Sequence, residues 1–272
     1  MIWKCRDKKI EYSSKILIMG IVNVTPDSFS DGGDHFSPDD AVNCALELEG
    51  QGADIIDIGG QSTRLGHIPV SDREEWSRLE PVLTALKGKV GVPVSVDTYY
   101  PFVAKKALEA GADIINDVSG VVSAEMAQIV KNSRCGWIIM HNGPGSPSDV
   151  KAFFEKSLSQ CDSYGIDRSQ LCLDMGIGIG FGKDYDENMM LLTHIKDYKI
   201  DGVPLLLGTS RKRVIGQGSG QTEPKNRVYG NIAADTLAVL TGVDIIRLHD
   251  VKNEKQGILM AENLKGYMDK EI

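Results

Sequence analysis

Residues 19–33 read Met-Gly-Ile-Val-Asn-Val-Thr-Pro-Asp-Ser-Phe-Ser-Asp-Gly-Gly. The first part is a run of strand-forming apolar residues, and the second is a polar loop closed by glycines. The changeover falls at Asn23, with Thr25, Asp27 and Ser28 just beyond it. An apolar strand that stops at a polar tip and enters a loop is half of a strand–loop–helix unit.

The unit recurs along the chain. Apolar runs occupy residues 16–24, 53–60, 92–98, 112–118, 136–141, 171–177, 203–209 and 243–249. They are rich in Val, Ile and Leu without strict alternation, as expected of parallel strands covered on both faces. Between them the pattern predicts helices near 38–51, 71–87, 101–110, 123–132, 149–164, 186–198, 225–241 and 251–268. Ser37-Pro38-Asp39-Asp40 offers an N-cap, a proline in the first turn and early acids, and Ser71 to Glu74 fits a capping box. Gly52, Gly111 and Gly242 each stand where a helix must stop before the next strand. Eight strand–helix units in 272 residues describe an α/β single domain, a (β/α)8 TIM barrel, with a doubly wound open sheet as the alternative. Residues 1–15 form a short hairpin-like N-terminal extension on this reading, and 16–272 the barrel.

Composition bounds the function. A formal charge of −8 argues against a general polyanion binder, so no nucleic acid partner is expected and any phosphate handled is small and locally held. Five scattered cysteines without a CxxC pair fit reduced thiols rather than disulfides or zinc. No apolar run reaches the roughly 18 to 20 residues of a membrane span, and the first residues lack a signal-peptide core. The expectation is a cytoplasmic protein with no membrane partner.

In such a barrel the chemistry sits at the C-terminal ends of the strands. Those ends carry Asn23, Asp57, Asp97, Asn116, His141, Asp174, Ser210 with Arg211 and Lys212, and Arg247 with His249. A buried carboxylate costs several kcal/mol unless donors meet it, roughly as for any desolvated ion. Asp97 and Asp174 therefore call for a ligand with N–H groups, such as an aminopyrimidine edge. Arg64, Lys183, Arg211, Lys212, Arg247 and His249 form a basic set suited to phosphate or carboxylate. The run Gly176-Ile-Gly-Ile-Gly-Phe-Gly-Lys183 meets neither the Walker A pattern nor GxGxxG. It reads as a rim loop that lets backbone approach a flat ligand.

Together these segments resemble the dihydropteroate synthase family. The matching pieces are MGIVNVTPDSFSDGG (19–33), DIGGQSTRLG (57–66), VSVDT (94–98), IINDVSG (114–120), IIMH (138–141), GIGFGK (178–183), GTSRKRVIG (208–216) and IIRLHDV (245–251). The resemblance implies condensation of 6-hydroxymethyl-7,8-dihydropterin diphosphate with p-aminobenzoate, releasing pyrophosphate, with Mg2+ as cofactor, a homodimer, and a sulfonamide target. It implies that Asp97, Asn116 and Asp174 hold the pterin and that Lys212 reaches both substrates. Asn23 would contact the diphosphate or its Mg2+, Thr63, Arg64, Arg247 and His249 would bind diphosphate oxygens, and Phe181 with Thr63 would frame p-aminobenzoate. Lys212, Arg247, His249 and Arg64 are thus the expected catalytic set.

The sequence departs from the family pattern at Gln61, where Glu is usual, at Leu65, where Pro is usual, and after His141, where Asn-Gly-Pro-Gly stands. Asp174 also precedes Lys183 by nine residues rather than seven, which places an insertion in the glycine-rich loop. Two rival readings share the barrel. A corrinoid-linked methyltransferase would not need the 25–29 loop, Arg64 or the Arg247/His249 pair. A non-catalytic pterin-binding paralogue would keep the carboxylates and lose p-aminobenzoate handling.

Overall fold

The computed structural model describes residues 1–25, 37–61, 68–178 and 182–270. An antiparallel hairpin of β1 (Ile2–Cys5) and β2 (Lys8–Glu11) precedes eight parallel strands. These are β3 (Leu17–Asn23), β4 (Ile55–Gly59), β5 (Val94–Asp97), β6 (Ile114–Asp117), β7 (Gly136–Met140), β8 (Leu171–Asp174), β9 (Leu205–Leu207) and β10 (Ile245–Leu248). They pair in chain order, and β10 closes onto β3 to complete a (β/α)8 barrel. Each apolar run of the sequence contributes one barrel strand.

The helices are α1 (Pro38–Gln51), α2 (Asp72–Leu86), α3 (Pro101–Ala110), α4 (Ala124–Ser133), α5 (Pro147–Tyr164), α6 (Tyr185–Thr193), α7 (Ile195–Tyr198), α8 (Arg213–Ser219), α9 (Val228–Thr241) and α10 (Val251–Met268). Ser37 caps α1 by accepting from the Asp39 N–H, and Gly52, Gly111 and Gly242 end their helices in the left-handed conformation. At α2 half of the expected capping box forms: Ser71 accepts from the Glu74 N–H, while the Glu74 carboxylate pairs with Arg78 at 2.6 Å.

One expectation is corrected and one helix is added. The single helix of 186–198 is broken at His194, whose ring Nδ1 contacts the Met190 carbonyl and the Thr193 hydroxyl and so competes for the groups that continue a helix. Helix α8 was hidden by its glycines, which tertiary contact explains. A Cβ on Gly216 would collide with the Arg227 guanidinium and the Gln221 carbonyl, so close packing demands glycine inside a helical turn.

Side chains alternate between the barrel interior and the helix layer. Ile18, Ile56, Val96, Ile115, Ile139, Leu173, Leu207 and Ile246 join the core shared with the helices. Leu17, Met19, Ile55, Ile114, Ile138, Cys172, Leu206 and Ile245 instead form a second apolar cluster with Trp3, Cys5, Ile10 and Tyr12 of the N-terminal segment. The hairpin therefore plugs the barrel floor. Trp3 is fully buried and donates its indole N–H to the Gln170 carbonyl at 2.8 Å. Gly136 makes room for the plug, because a Cβ there would lie 2.6 Å from the Cys5 sulfur.

Candidate active site at the barrel mouth

Two residues beyond the floor positions on the same strand faces stand Asp57, Asn116, Asp174 and Arg247, and two beyond Ser95 stands Asp97. Two residues advance a strand by about 6 to 7 Å, which separates an apolar floor from a polar mouth. The register places Asn23 beside Gly59 and Gly59 beside Asp97, so an inward position without a side chain lies between two polar ones.

Asp57 is the hub. It is completely buried, and its Oδ2 accepts from Arg247 Nε at 2.6 Å and from Asn116 Nδ2 at 3.2 Å. Arg247 spans to the next carboxylate, donating from Nη2 to Asp97 Oδ2 at 2.8 Å. Asp57 Oδ1 and Asn116 Oδ1 are buried without a donor among the described residues. The mouth thus holds acceptors that await N–H groups.

On the opposite wall, Asp174 ends β8 in register with Met140 and Leu206, and its Oδ1 accepts from the Gly176 N–H at 2.8 Å. This register keeps Asp174 at the rim and puts the extra residues in the loop beyond it. Lys212, in the turn after β9, donates to the Ile177 carbonyl at 2.5 Å. His249 and Asn23 meet at 3.5 Å between ring Nε2 and amide Nδ2, and the Ser210 hydroxyl lies 3.1 Å from His249 Nδ1 while accepting from its backbone N–H.

Burial dominates the electrostatics. It pushes the Asp97 carboxyl up to about 7, with Arg247 pulling down and Asp57 pushing further up. Asp174 is also raised by burial, against the cation of Lys212. Burial brings Lys212 down to about 8 even though Asp174 favours its charged form. For Arg247 burial works against the cation, but Asp57 and Asp97 outweigh it and hold the guanidinium charged.

Of the expected site residues, Asn23, Asp97, Asn116, Asp174, Lys212, Arg247 and His249 gather at this mouth. Thr63, Arg64 and Phe181 lie outside the described residues, as do Asp27, Ser28 and Leu65. Two rim residues have other duties. The His141 ring packs edge-on against Phe153 of α5 at 5.0 Å, and burial lowers its pKa to about 4. Lys183 is 2% exposed and donates to the carbonyls of His141 at 3.4 Å and Gly176 at 3.1 Å, so it fastens the glycine-rich loop instead of presenting charge to an anion. Gly176 (φ 65°) is likewise demanded by protein packing, since a Cβ there would strike the His141 carbonyl.

Sequence reasoning noted Asp57 but gave it no part. The signal was an Asp inside Ile55-Ile-Asp-Ile-Gly59; its partner Arg247 is 190 residues away.

A closed parallel barrel with carboxylates, an amide and two half-buried cations at its C-terminal mouth is built to hold a small polar heterocycle beside an anion. Comparison with known proteins narrows this class: a family profile described as pterin binding enzyme matches residues 19–249. Dihydropteroate synthase of Bacillus subtilis (strain 168) is 42% identical over 249 residues, covering 89% of this chain and 86% of that protein. The dihydropteroate synthase of Xanthomonas albilineans solved with 4-aminobenzoic acid superimposes with a TM-score of 0.91 at 36% identity, covering 99% of both chains. The same enzyme solved with 7,8-dihydropteroate gives 0.88 at 34% identity over 100% of each chain. The chain belongs to the dihydropteroate synthase family.

Proposed function

We propose that this chain is a transferase that joins 6-hydroxymethyl-7,8-dihydropterin diphosphate to p-aminobenzoate, giving 7,8-dihydropteroate and pyrophosphate. The observation that carries the reading is the Asp57–Arg247–Asp97 bridge facing Asp174 and Lys212 across a buried mouth. Asp97 and Asp174 accept from the amino and ring N–H groups of the pterin, and Asn116, held by Asp57, supplies a further acceptor. Arg247 favours the ionised form of Asp97 against burial, and Lys212 hydrogen-bonds the pterin from the opposite wall. Asn23 and His249, beside each other at the rim, meet the diphosphate together with Thr63 and Arg64; Phe181 frames p-aminobenzoate.

Cleavage of the C–O bond leaves positive charge on the pterin methylene and negative charge on the departing pyrophosphate. The aniline nitrogen then attacks the methylene and loses its proton, so no protein nucleophile is needed. The rim cations stabilise the charge that develops on the leaving group. As a class, Mg2+ favours oxygen ligands and is commonly held by one or two protein side chains beside substrate phosphates. No three His, Cys, Asp or Glu side chains cluster as a metal cage among the described residues; Asn23, at the rim beside His249, would hold through its amide oxygen a Mg2+ that arrives with the diphosphate. When bound it neutralises leaving-group charge.

We infer a homodimer through α9 and α10, where Tyr229, Leu259, Met260 and Tyr267 are exposed. Residues 16–272 are read as the functional barrel and 1–15 as its floor extension, in a cytoplasmic protein. The test is incubation of the purified protein with the pterin diphosphate, Mg2+ and p-aminobenzoate. Dihydropteroate and pyrophosphate are expected in equal amounts, with inhibition by a sulfonamide. Pterin binding without either product would overturn the proposal in favour of a non-catalytic pterin binder.

A further inference from the structure

Behind β9 lies a buried polar cluster that the reaction chemistry leaves unused. Asn231 and Asp235 sit one turn apart on α9 and Glu254 on α10, each 1% exposed. The Thr209 hydroxyl donates to Asp235 Oδ1 at 3.0 Å, and the Asp235 and Glu254 carboxyls lie in hydrogen-bonding contact. Asp235 Oδ2 and Glu254 Oε2 are both buried with no donor among the described residues. Two carboxylates cannot hydrogen-bond as anions; one proton between them satisfies both.

The surroundings favour that proton. Burial raises Asp235 to about 7, against the Thr209 hydrogen bond, and raises Glu254 to about 9, with Asp235 adding to the shift. The other charged groups acting on Glu254 are Asp250 at the start of α10, which raises it further, and Arg211 in the β9–α8 turn, which lowers it. From α9 the neighbour is the neutral amide of Asn231, both of whose polar atoms lack partners among the described residues.

Thr209 ties this pair to the mouth. Its carbonyl accepts from the Lys212 N–H at 3.0 Å, closing a turn in which Arg211 has φ 60°. A left-handed non-glycine residue costs about 1 to 3 kcal/mol and persists only where neighbours hold it. Arg227 does so from one side, donating to the Arg211 carbonyl at 2.7 Å, and Asp235 does so from the other through Thr209. The same turn presents Ser210 to His249 and carries Lys212 toward Asp174.

We propose that Asp235 and Glu254 share a proton and, through Thr209, act as positioning residues for Lys212 and His249. The kinetic part rests on the synthase reading; the shared proton does not. Infrared difference spectra between the wild-type protein and Asp235→Asn or Glu254→Gln are expected to show, at pH 7, a protonated-carboxyl C=O band that both substitutions remove. Spectra showing only carboxylate bands would overturn the pair. In turnover assays Asp235→Ala is expected to lower kcat about tenfold, the scale of one lost charge-assisted hydrogen bond, with a smaller change in KM. Asp235→Asn, which still accepts from Thr209 and can donate to Glu254, is expected to restore most of that loss. Equal kcat per folded molecule in the Ala and Asn variants would reduce the pair to a structural role and overturn positioning. Should Asp235→Ala fail to fold, Thr209→Val removes only the tether and is expected to lower kcat in the same way; an unaltered kcat would count against the proposal. A wild-type protein that makes no dihydropteroate would sink the synthase reading, while the infrared bands would still decide whether the proton is shared.

Discussion

Two residues along a strand separate the floor of this barrel from its mouth, and the two layers obey opposite rules. Ile55, Ile114, Cys172 and Ile245 face Trp3 and Tyr12 in an apolar cluster; Asp57, Asn116 and Asp174, next on the same faces, are nearly as buried yet polar, and Arg247 beside them is half-buried. The floor gives the Trp3 indole a partner in the Gln170 carbonyl, whereas the mouth leaves Asp57 Oδ1 and Asn116 Oδ1 without donors among the described residues. Floor packing stabilises the fold. The mouth carries desolvated charge that an apolar interior would avoid, the usual condition of a binding site.

The largest expected effect is in the floor. Trp3→Ala removes a fully buried indole and leaves the Gln170 carbonyl without its donor, so a loss of about 3 to 5 kcal/mol in urea unfolding is expected. Turnover per folded molecule should be preserved. A fall in kcat matching the loss of stability would show that floor and mouth act as one unit.

In the mouth the signs reverse. Asp97→Asn keeps size but takes one of its two carboxylates from Arg247 while removing a carboxylate that burial disfavours; the two effects oppose, so only a small net change in thermal stability is expected at pH 7. Pterin affinity, measured by calorimetry, should weaken by about 1.5 to 3 kcal/mol, the range for a lost charge-assisted hydrogen bond. Linkage gives the sign for the wild type: a carboxyl raised from 3.8 to about 7 in the fold loses stability as pH climbs through that window. The stability of Asp97→Asn relative to wild type should therefore rise from pH 4 to 7. Unaltered pterin affinity in this variant would place the heterocycle elsewhere.

The floor and the barrel itself were legible because apolar runs of strand length, separated by capped helices, leave few other topologies. The mouth was legible as a set of residue types but not as a wiring. That Asp57 anchors both Arg247 and Asn116 depends on strands far apart in sequence meeting inside a closed barrel, which no local pattern reports. Lys183 illustrates the reverse: a lysine after glycines looks like an anion ligand, and only its burial against two carbonyls reveals a fastener. Helix α8 escaped for a related reason, since Gly216 answers to Arg227 and Gly218 to Tyr185, not to helix propensity. Asp174 was readable despite the longer loop because strand register, set by apolar neighbours, fixes its place.

A smaller effect comes from titrating the mouth. Pterin recognition needs Asp97 ionised, so kcat/KM should climb with pH up to about 7; it needs Lys212 charged, so kcat/KM should fall above about 8. The expected profile is a narrow bell, with about a tenfold change per pH unit beyond each limb. Asp97→Asn should flatten the acidic limb and leave the alkaline one. A profile flat from pH 6 to 9 would mean that these buried groups do not titrate in the free protein, and the contrast with the floor would lose its electrostatic basis.

The smallest effect tests the boundary between the layers. Ser95 lies two residues below Asp97 on the same face, beside Asp57 in register, and its hydroxyl is buried without a partner among the described residues. It has the chemistry of the mouth at the height of the floor. If it belongs to the floor, Ser95→Ala removes an unsatisfied hydroxyl and is expected to stabilise the protein by up to about 1 kcal/mol with no change in pterin affinity. If the hydroxyl serves the mouth by holding a water beneath the heterocycle, the same substitution weakens pterin binding. Floor membership is the expected outcome, because Ser95 pairs on its β6 side with Ile114 of the apolar floor cluster and lies a two-residue step below Asp97. Calorimetry and thermal unfolding of this one variant therefore locate the plane at which packing gives way to recognition.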